Sequence, residues 1–308
     1  MKFSELITAG AFLVANFVGS ATAATVTVGA FGDQGWRSDD TRTSTGVNLV
    51  GINNTNAGKP GQVPTAADDA AIAAQIMFVP GPAGSTFGGA VSIDGTATNS
   101  GKSNFSVINS TTGFGSGASL LTPAFGVLYE MYKQHTGSGS TLAFKLGIQS
   151  TDWGFGAGQS QNGFTATRSG ESEWDLVLVH IPTVVNNVWT TISLNQSTGN
   201  WVLFDQAGNP FFTPPGGGGA NQTLDAWAMD AVWGRRLFGA GARVTSIQFG
   251  LGSFQPIAIG FVDYLQTNLL NGGDVVDFQA AAVPEPSTVI LSGIGLIGLI
   301  GRAWARRR

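Results

Sequence analysis

Short runs rich in β-branched and aromatic residues, broken by Gly, Asn, Ser or Pro, recur from Ala24 to Leu265, and this punctuation limits the fold more than any other feature. Examples are residues 24–28, 104–108, 141–148, 174–181, 188–194, 201–204, 244–249 and 257–265. Strands of this length and spacing predict an antiparallel β-sandwich. Two-residue alternation is clearest at Trp189, Thr191 and Ser193 against Thr190, Ile192 and Leu194, which predicts one wet face and one core face there. Only Thr65–Met77 reads as a helix, with Thr65 as N-cap and Asp68 and Asp69 in the first turn. Asp225 to Val232 fits a second short helix, a strand or a loop equally well. Helical crossovers do not repeat between the strands, so a doubly wound nucleotide-binding fold is not expected.

Composition removes whole classes of chemistry. There is no Cys in 308 residues, so disulfide frameworks, thiolate metal sites and cysteine nucleophiles are excluded. Charged residues make up 11% of the chain, and no basic block lies in its interior, so nucleic acid is not an expected partner. With 20 Phe and 8 Trp the chain buries enough apolar surface to offset its ordering entropy.

Both ends read as addresses. Lys2, an apolar run from Leu6 to Val18 and the small residues Ala21-Thr22-Ala23 form the three parts of a secretory signal peptide, with signal peptidase expected to cut after Ala23. At the other end Pro284-Glu285-Pro286 precedes the uncharged stretch Thr288 to Gly301, and Arg302, Arg306, Arg307 and Arg308 close the chain. Fourteen helical residues span about 21 Å, and adding Arg302, its side chain snorkelling, with Ala303 to Ala305 brings the length to about 27 Å, just enough to cross a bilayer core of about 30 Å. The Arg cluster holds its own end in the cytoplasm and leaves the upstream chain outside. Removing Lys2, Glu5, Glu285 and the four tail arginines from 15 basic and 19 acidic residues leaves 10 and 17, so the exported body carries a net charge of −7.

The order Val283-Pro-Glu-Pro-Ser-Thr288, apolar span, Arg-rich end resembles the PEP-CTERM sorting signal of exopolysaccharide-producing Gram-negative bacteria. The resemblance implies that an exosortase recognises Pro284-Glu285-Pro286 at the inner membrane and removes the helix, leaving the body at the cell surface or in the extracellular matrix. Two prolines keep that segment extended and open to a protease. The expected division is signal peptide 1–23, β-sandwich 24–268, linker 269–283 and sorting signal 284–308. Gly260-Phe-Val-Asp-Tyr-Leu-Gln-Thr267 loosely resembles the closing strand of concanavalin-like and carbohydrate-binding jelly rolls, which implies a jelly-roll-like sandwich.

Chemistry candidates are few. Glu171, Glu173 and Asp175 share one face if they lie on a strand, about 6.5 to 7 Å apart. Retaining glycosidases need carboxyls about 5 to 5.5 Å apart, so this triplet is a weak catalytic candidate and also a candidate calcium site. Asp33, Asp39, Asp40, Asp68, Asp69 and Asp152 are further oxygen donors without the alternating pattern of a dedicated calcium loop. His135 and His180 lack a nucleophile elbow, and His180 reads as a strand-end residue. Trp36, Trp153, Trp189, Trp201, Trp227 and Trp233 offer flat rings for sugar, with Trp153, in a Gly-rich loop, the least core-like. Gly113 to Gly117 and Gly154 to Gly158 look alike and read as two hairpin loops. The expectation is a non-enzymatic exported protein associated with exopolysaccharide, without cofactor or metal; the alternatives are a carbohydrate-binding module or a glycosidase.

Overall fold

The computed structural model describes residues 23–43, 47–52, 63–94, 102–109, 111–134, 141–150, 160–161, 164–165, 176–205, 222–231, 233–251, 259–270 and 273–280. They form two seven-stranded sheets. In the first sheet β15 (Ile259–Thr267) is the hub. One of its edges pairs with β7 (Val127–Gln134), which in turn pairs with β12 (Trp189–Leu194). Its other edge is shared end to end. Residues 259–262 pair with β4 (Gly89–Asp94) and, beyond it, β3 (Ile76–Pro80), while residues 264–266 pair with β16 (Val275–Phe278) and, beyond it, β1 (Thr25–Val28).

The second sheet runs β13 (Trp201–Asp205), β11 (Leu176–His180), β8 (Ala143–Ser150), β14 (Ala242–Leu251), β5 (Lys102–Ile108) and β2 (Trp36–Arg42). The two-residue β6 (Gly115–Ser116) pairs with the start of β14, so the Gly113–Gly117 loop runs through a strand into a 3-10 turn at Gly117–Leu121. A separate ribbon joins β9 (Ser160–Gln161) and β10 (Phe164–Thr165). Every ladder between these strands is antiparallel except β1 with β16. Alternate residues of both sheets meet in one core, where Trp36 stacks on Phe105 at 4.8 Å and Tyr129 on Phe144 at 5.5 Å. The protein is an all-β sandwich.

Helices are more numerous than the one expected. The first, α1 (Ala66–Gln75), starts where the sequence placed it, with the Thr65 hydroxyl accepting from the Asp68 N–H. It stops at Gln75, and Ile76-Met77 belong to β3. The others, α2 (Leu224–Met229) and α3 (Trp233–Phe238), bury Trp227 and Trp233 in the core. A second correction concerns the linker expected at 269–283. Leu269 and Leu270 are buried, and Val275–Phe278 is a strand with Val276 and Phe278 in the core. Among the described residues no helix is long and apolar enough to cross a membrane; the span expected at 288–301 lies outside them.

Candidate functional site

Glu171, Glu173, Asp175, Trp153, Asp152, His135, Ala21 and the sorting residues Pro284, Glu285, Pro286, Arg302, Arg306, Arg307 and Arg308 lie outside the described residues. Asp40 falls within β2. Ala23 is exposed one residue before the first ordered contact, where the Ala24 N–H donates to Asp274 Oδ1 at 3.0 Å.

The described candidates mostly hold the fold together. Trp36, Trp201, Trp227 and Trp233 are fully buried, and the Trp227 indole donates to the Trp201 carbonyl at 3.0 Å. Asp33 accepts from the N–H groups of Gly29 and Ala30, Asp68 from Val50 and Asp69 from Ile52. Each carboxylate closes a local loop. His180 ends β11, its Nδ1 3.2 Å from the Asn200 carbonyl oxygen and its ring 5.5 Å from Trp201. A carbonyl only accepts, so Nδ1 carries the proton of that pair. Burial holds the imidazole below its ordinary pKa, partly offset by the Asn200 bond. Among the described residues no group of three or more acidic or His side chains is placed to hold a metal ion.

The outer face of the first sheet carries a different arrangement. Core-facing Val262 and Leu265 flank a bulge at which β15 gains one residue on β7. That extra residue brings Asp263 and Tyr264 to the same, outward side opposite Glu130, because a bulge interrupts strict alternation. The loop between β3 and β4 lies over them. The Phe87 N–H donates to Asp263 Oδ2 at 3.1 Å, the Phe87 ring meets Tyr264 edge-on at 5.5 Å, and the Thr86 hydroxyl donates to Glu130 at 2.7 Å. Thr191 donates to the other Glu130 oxygen at 3.2 Å. Asp277, paired in register with Tyr264, receives the Gln279 amide.

Electrostatics follow from this enclosure. Burial raises the Asp263 carboxyl to about 6 against the pull of the Phe87 and Thr86 N–H groups, with Glu130 and Asp277 raising it further. Burial likewise raises Asp277 and takes Tyr264 to about 12. Asp263 Oδ1 and Asp277 Oδ1 are buried without hydrogen-bond partners. A raised carboxyl beside other carboxyls resembles an acid and base pair. Asp263 is nonetheless fully enclosed and bonded to backbone N–H groups, so no substrate reaches it, and the row anchors the loop.

Next to that row a strip of side chains crosses five strands in register: Trp189, Tyr132, Phe261, Ser92 and Met77. The three aromatic rings are half-buried, with centroids 5.5 and 5.8 Å apart and planes tilted by 54° and 78°. They form an edge-packed row rather than a flat platform. Trp189 is further fixed by its indole N–H, which donates to the Pro82 carbonyl at 3.0 Å. The period-2 reading of β12 placed Trp189 with the wet residues Thr191 and Ser193. Its partners Tyr132 and Phe261 had no such signal, since only the sheet order joins them.

Residues 282–308 match the PEP-CTERM protein-sorting motif. The chain therefore carries the sorting signal of an exosortase-processed extracellular protein. No curated protein sequence matches it. Among solved structures, a family 11 carbohydrate-binding module from Clostridium thermocellum in complex with a β-1,3-1,4-mixed-linked tetrasaccharide aligns at 14% identity and TM-score 0.32, over 67% of this chain and 84% of that one. A carbohydrate esterase from the Shiga toxin-encoding bacteriophage phi24B aligns at 14% identity and TM-score 0.29, over 61% and 85%. At such scores neither likeness bears on fold or ligand.

Proposed function

We propose that this chain is a non-enzymatic surface or matrix protein. In this reading the jelly-roll-like sandwich is exported by its signal peptide and held briefly in the inner membrane by the helix at 288–301. Exosortase then processes it at Pro284-Glu285-Pro286, and the body is delivered to the exopolysaccharide layer. The observation that carries the reading is the place of the sorting motif: it starts at residue 282, four residues beyond Phe278, where the last core strand ends. Among the described residues the last core strand ends at Phe278, ahead of the motif. Mass spectrometry of the protein recovered from the producing cell's medium and surface tests this, with expected ends at Ala24 and near Pro284. Native protein that keeps Arg306 to Arg308 in healthy cells would refute it.

A carbohydrate-binding reading rests on the half-buried Trp189, Tyr132 and Phe261 rings, which offer apolar surface to a pyranose though not a flat platform. Loss of retention on an exopolysaccharide matrix in Tyr132→Ala supports it; unchanged retention removes it. Turnover of a polysaccharide panel that disappears in Glu171→Gln or Glu173→Gln would instead favour the glycosidase alternative with Asp175.

A further inference from the structure

The body's exit toward the sorting signal is fixed at one place. The Gln279 N–H donates to the Val28 carbonyl at 3.0 Å, and its side-chain amide donates to Asp277 and, at 3.4 Å, to the Phe87 carbonyl. Gly89 admits the passing chain: a Cβ there would lie 2.6 Å from Gln279 Cα and 2.8 Å from the Phe278 carbonyl oxygen. The chain therefore leaves the sandwich beside the β3–β4 hairpin. From Ala280 to Pro284 a fully extended chain reaches about 14 Å. Whatever holds the segment after Pro284 holds this hairpin close to itself.

The hairpin has an uncommon surface. No Asp, Glu, Lys or Arg occurs between Asp69 and Asp94. Residues 83, 84 and 86–88 at its tip are exposed, Phe87 is 37% and Met77 38% exposed, and Val188, next to the Trp189 that bonds Pro82, is 51% exposed. Most of the acid of this region is kept from the surface. Asp263 and Asp277 are buried beneath the loop, and Glu130 is held by the hydroxyls of Thr86 and Thr191. A body of net charge −7 is repelled by an anionic leaflet within about a Debye length of roughly 10 Å. A neutral apolar face is repelled least and gains from interfacial burial of Phe and Met.

We propose that the β3–β4 hairpin, with Phe87, Pro82 and the neighbouring Val188, is the face that rests on the lipid surface while the C-terminal segment is still in the membrane. This rests on the reading of residues 288–301 as a temporary anchor. It gives a reason for the burial of Asp263 and Asp277: uncovered, they would add negative charge to the surface nearest the bilayer.

The absence of Cys makes the test direct. The full chain carrying Ala83→Cys or, as a control on the other sheet's side, Thr111→Cys is labelled with an environment-sensitive dye. It is then reconstituted into vesicles of phosphatidylethanolamine and phosphatidylglycerol containing spin-labelled lipid. The expected result is quenching several-fold stronger at position 83 than at 111, lost in a chain ending at residue 283. Equal quenching at both positions in an inserted chain overturns the proposal and leaves the anchor reading intact. Protection of position 83 only when exosortase is present replaces lipid by that enzyme as the occupant and also overturns it. Failure of the full chain to insert overturns both.

Discussion

Phe87 and Asp263 stand 176 residues apart in sequence and are joined by one bond, from the Phe87 N–H to Asp263 Oδ2 at 3.1 Å. The bond ties the β3–β4 loop to the bulge of β15, and through Gln279 the same enclosure reaches the exit of the chain.

Enclosing Asp263 makes stability pH-dependent. Its folded carboxyl titrates at about 6, above the ordinary value of 3.8. A raised acid binds its proton more tightly in the folded state, so the stabilisation is complete below about 4 and is lost as pH rises through about 6. Two pKa units correspond to roughly 3 kcal/mol, an upper bound because the neighbouring Asp277 carboxyl is raised as well. Thermal melts from pH 7 down to 4.5 are expected to show this contribution as a rise in Tm. Asp263→Asn is expected to flatten that part of the profile. A profile of unchanged slope in the variant assigns the dependence elsewhere.

Gly89→Ala tests the close passage at the exit. The new methyl has backbone on two sides, Gln279 Cα and the Phe278 carbonyl, and neither moves without disturbing β16. Overpacking of this kind costs about 1–3 kcal/mol. Limited proteolysis is expected to cut after Phe278 sooner in the variant. Gly88→Ala has nothing within 4 Å of its new methyl and is strained only by its φ of +84°, about 1–2 kcal/mol, leaving the exit protected.

How far the sequence reveals this fold depends on how local each signal is. The Thr65 cap and the apolar alternation of β12 are written in consecutive residues, and they stand where those residues place them. β3 follows α1 with no Gly or Pro between them, so helix and strand read as one segment until Ile76, where β-branched and aromatic residues take over. β16 is four residues long and is held between β15, which it meets over three residues, and β1, which lies 250 positions earlier, so its own short composition does little to separate it from a linker. The acid row is hidden for another reason: strict alternation puts Asp263 and Tyr264 on opposite faces, and one extra residue in β15 brings them together. The carboxylates Glu171, Glu173 and Asp175 stand out by spacing alone, which carries no information about burial.

Tryptophans that look equivalent in sequence are expected to respond differently. Trp227 is fully buried and donates to the Trp201 carbonyl. Trp227→Ala removes its volume from the core, at a cost of about 3–5 kcal/mol, while the Trp201 carbonyl keeps the Gln222 N–H as donor. Trp189 sits half-buried at the edge of its sheet, on Tyr132 and the Pro82 carbonyl. Trp189→Ala is expected to cost roughly half as much or less, since less apolar area leaves water. Urea unfolding of both variants measures the difference, and equal losses would place Trp189 among the core residues.

The start of the mature chain gives a last prediction. Among the described residues β1 has β16 as its only ladder partner and is tied just before its first residue by two bonds, Ala24 N–H to Asp274 Oδ1 and Val275 N–H to the Ala24 carbonyl. Cleavage after Ala23 turns the first of these from an amide bond into an ammonium–carboxylate pair at the same 3.0 Å. The pair is near the surface, so its worth is less than about 1 kcal/mol and is screened by salt. Protein starting at Ala24 is expected to melt slightly above protein carrying one extra N-terminal residue at low ionic strength. High salt or Asp274→Asn is expected to remove the difference. A gap that persists in Asp274→Asn would mean that the ammonium is held by another group, and β1 would then be anchored independently of the strand that leads to the sorting signal.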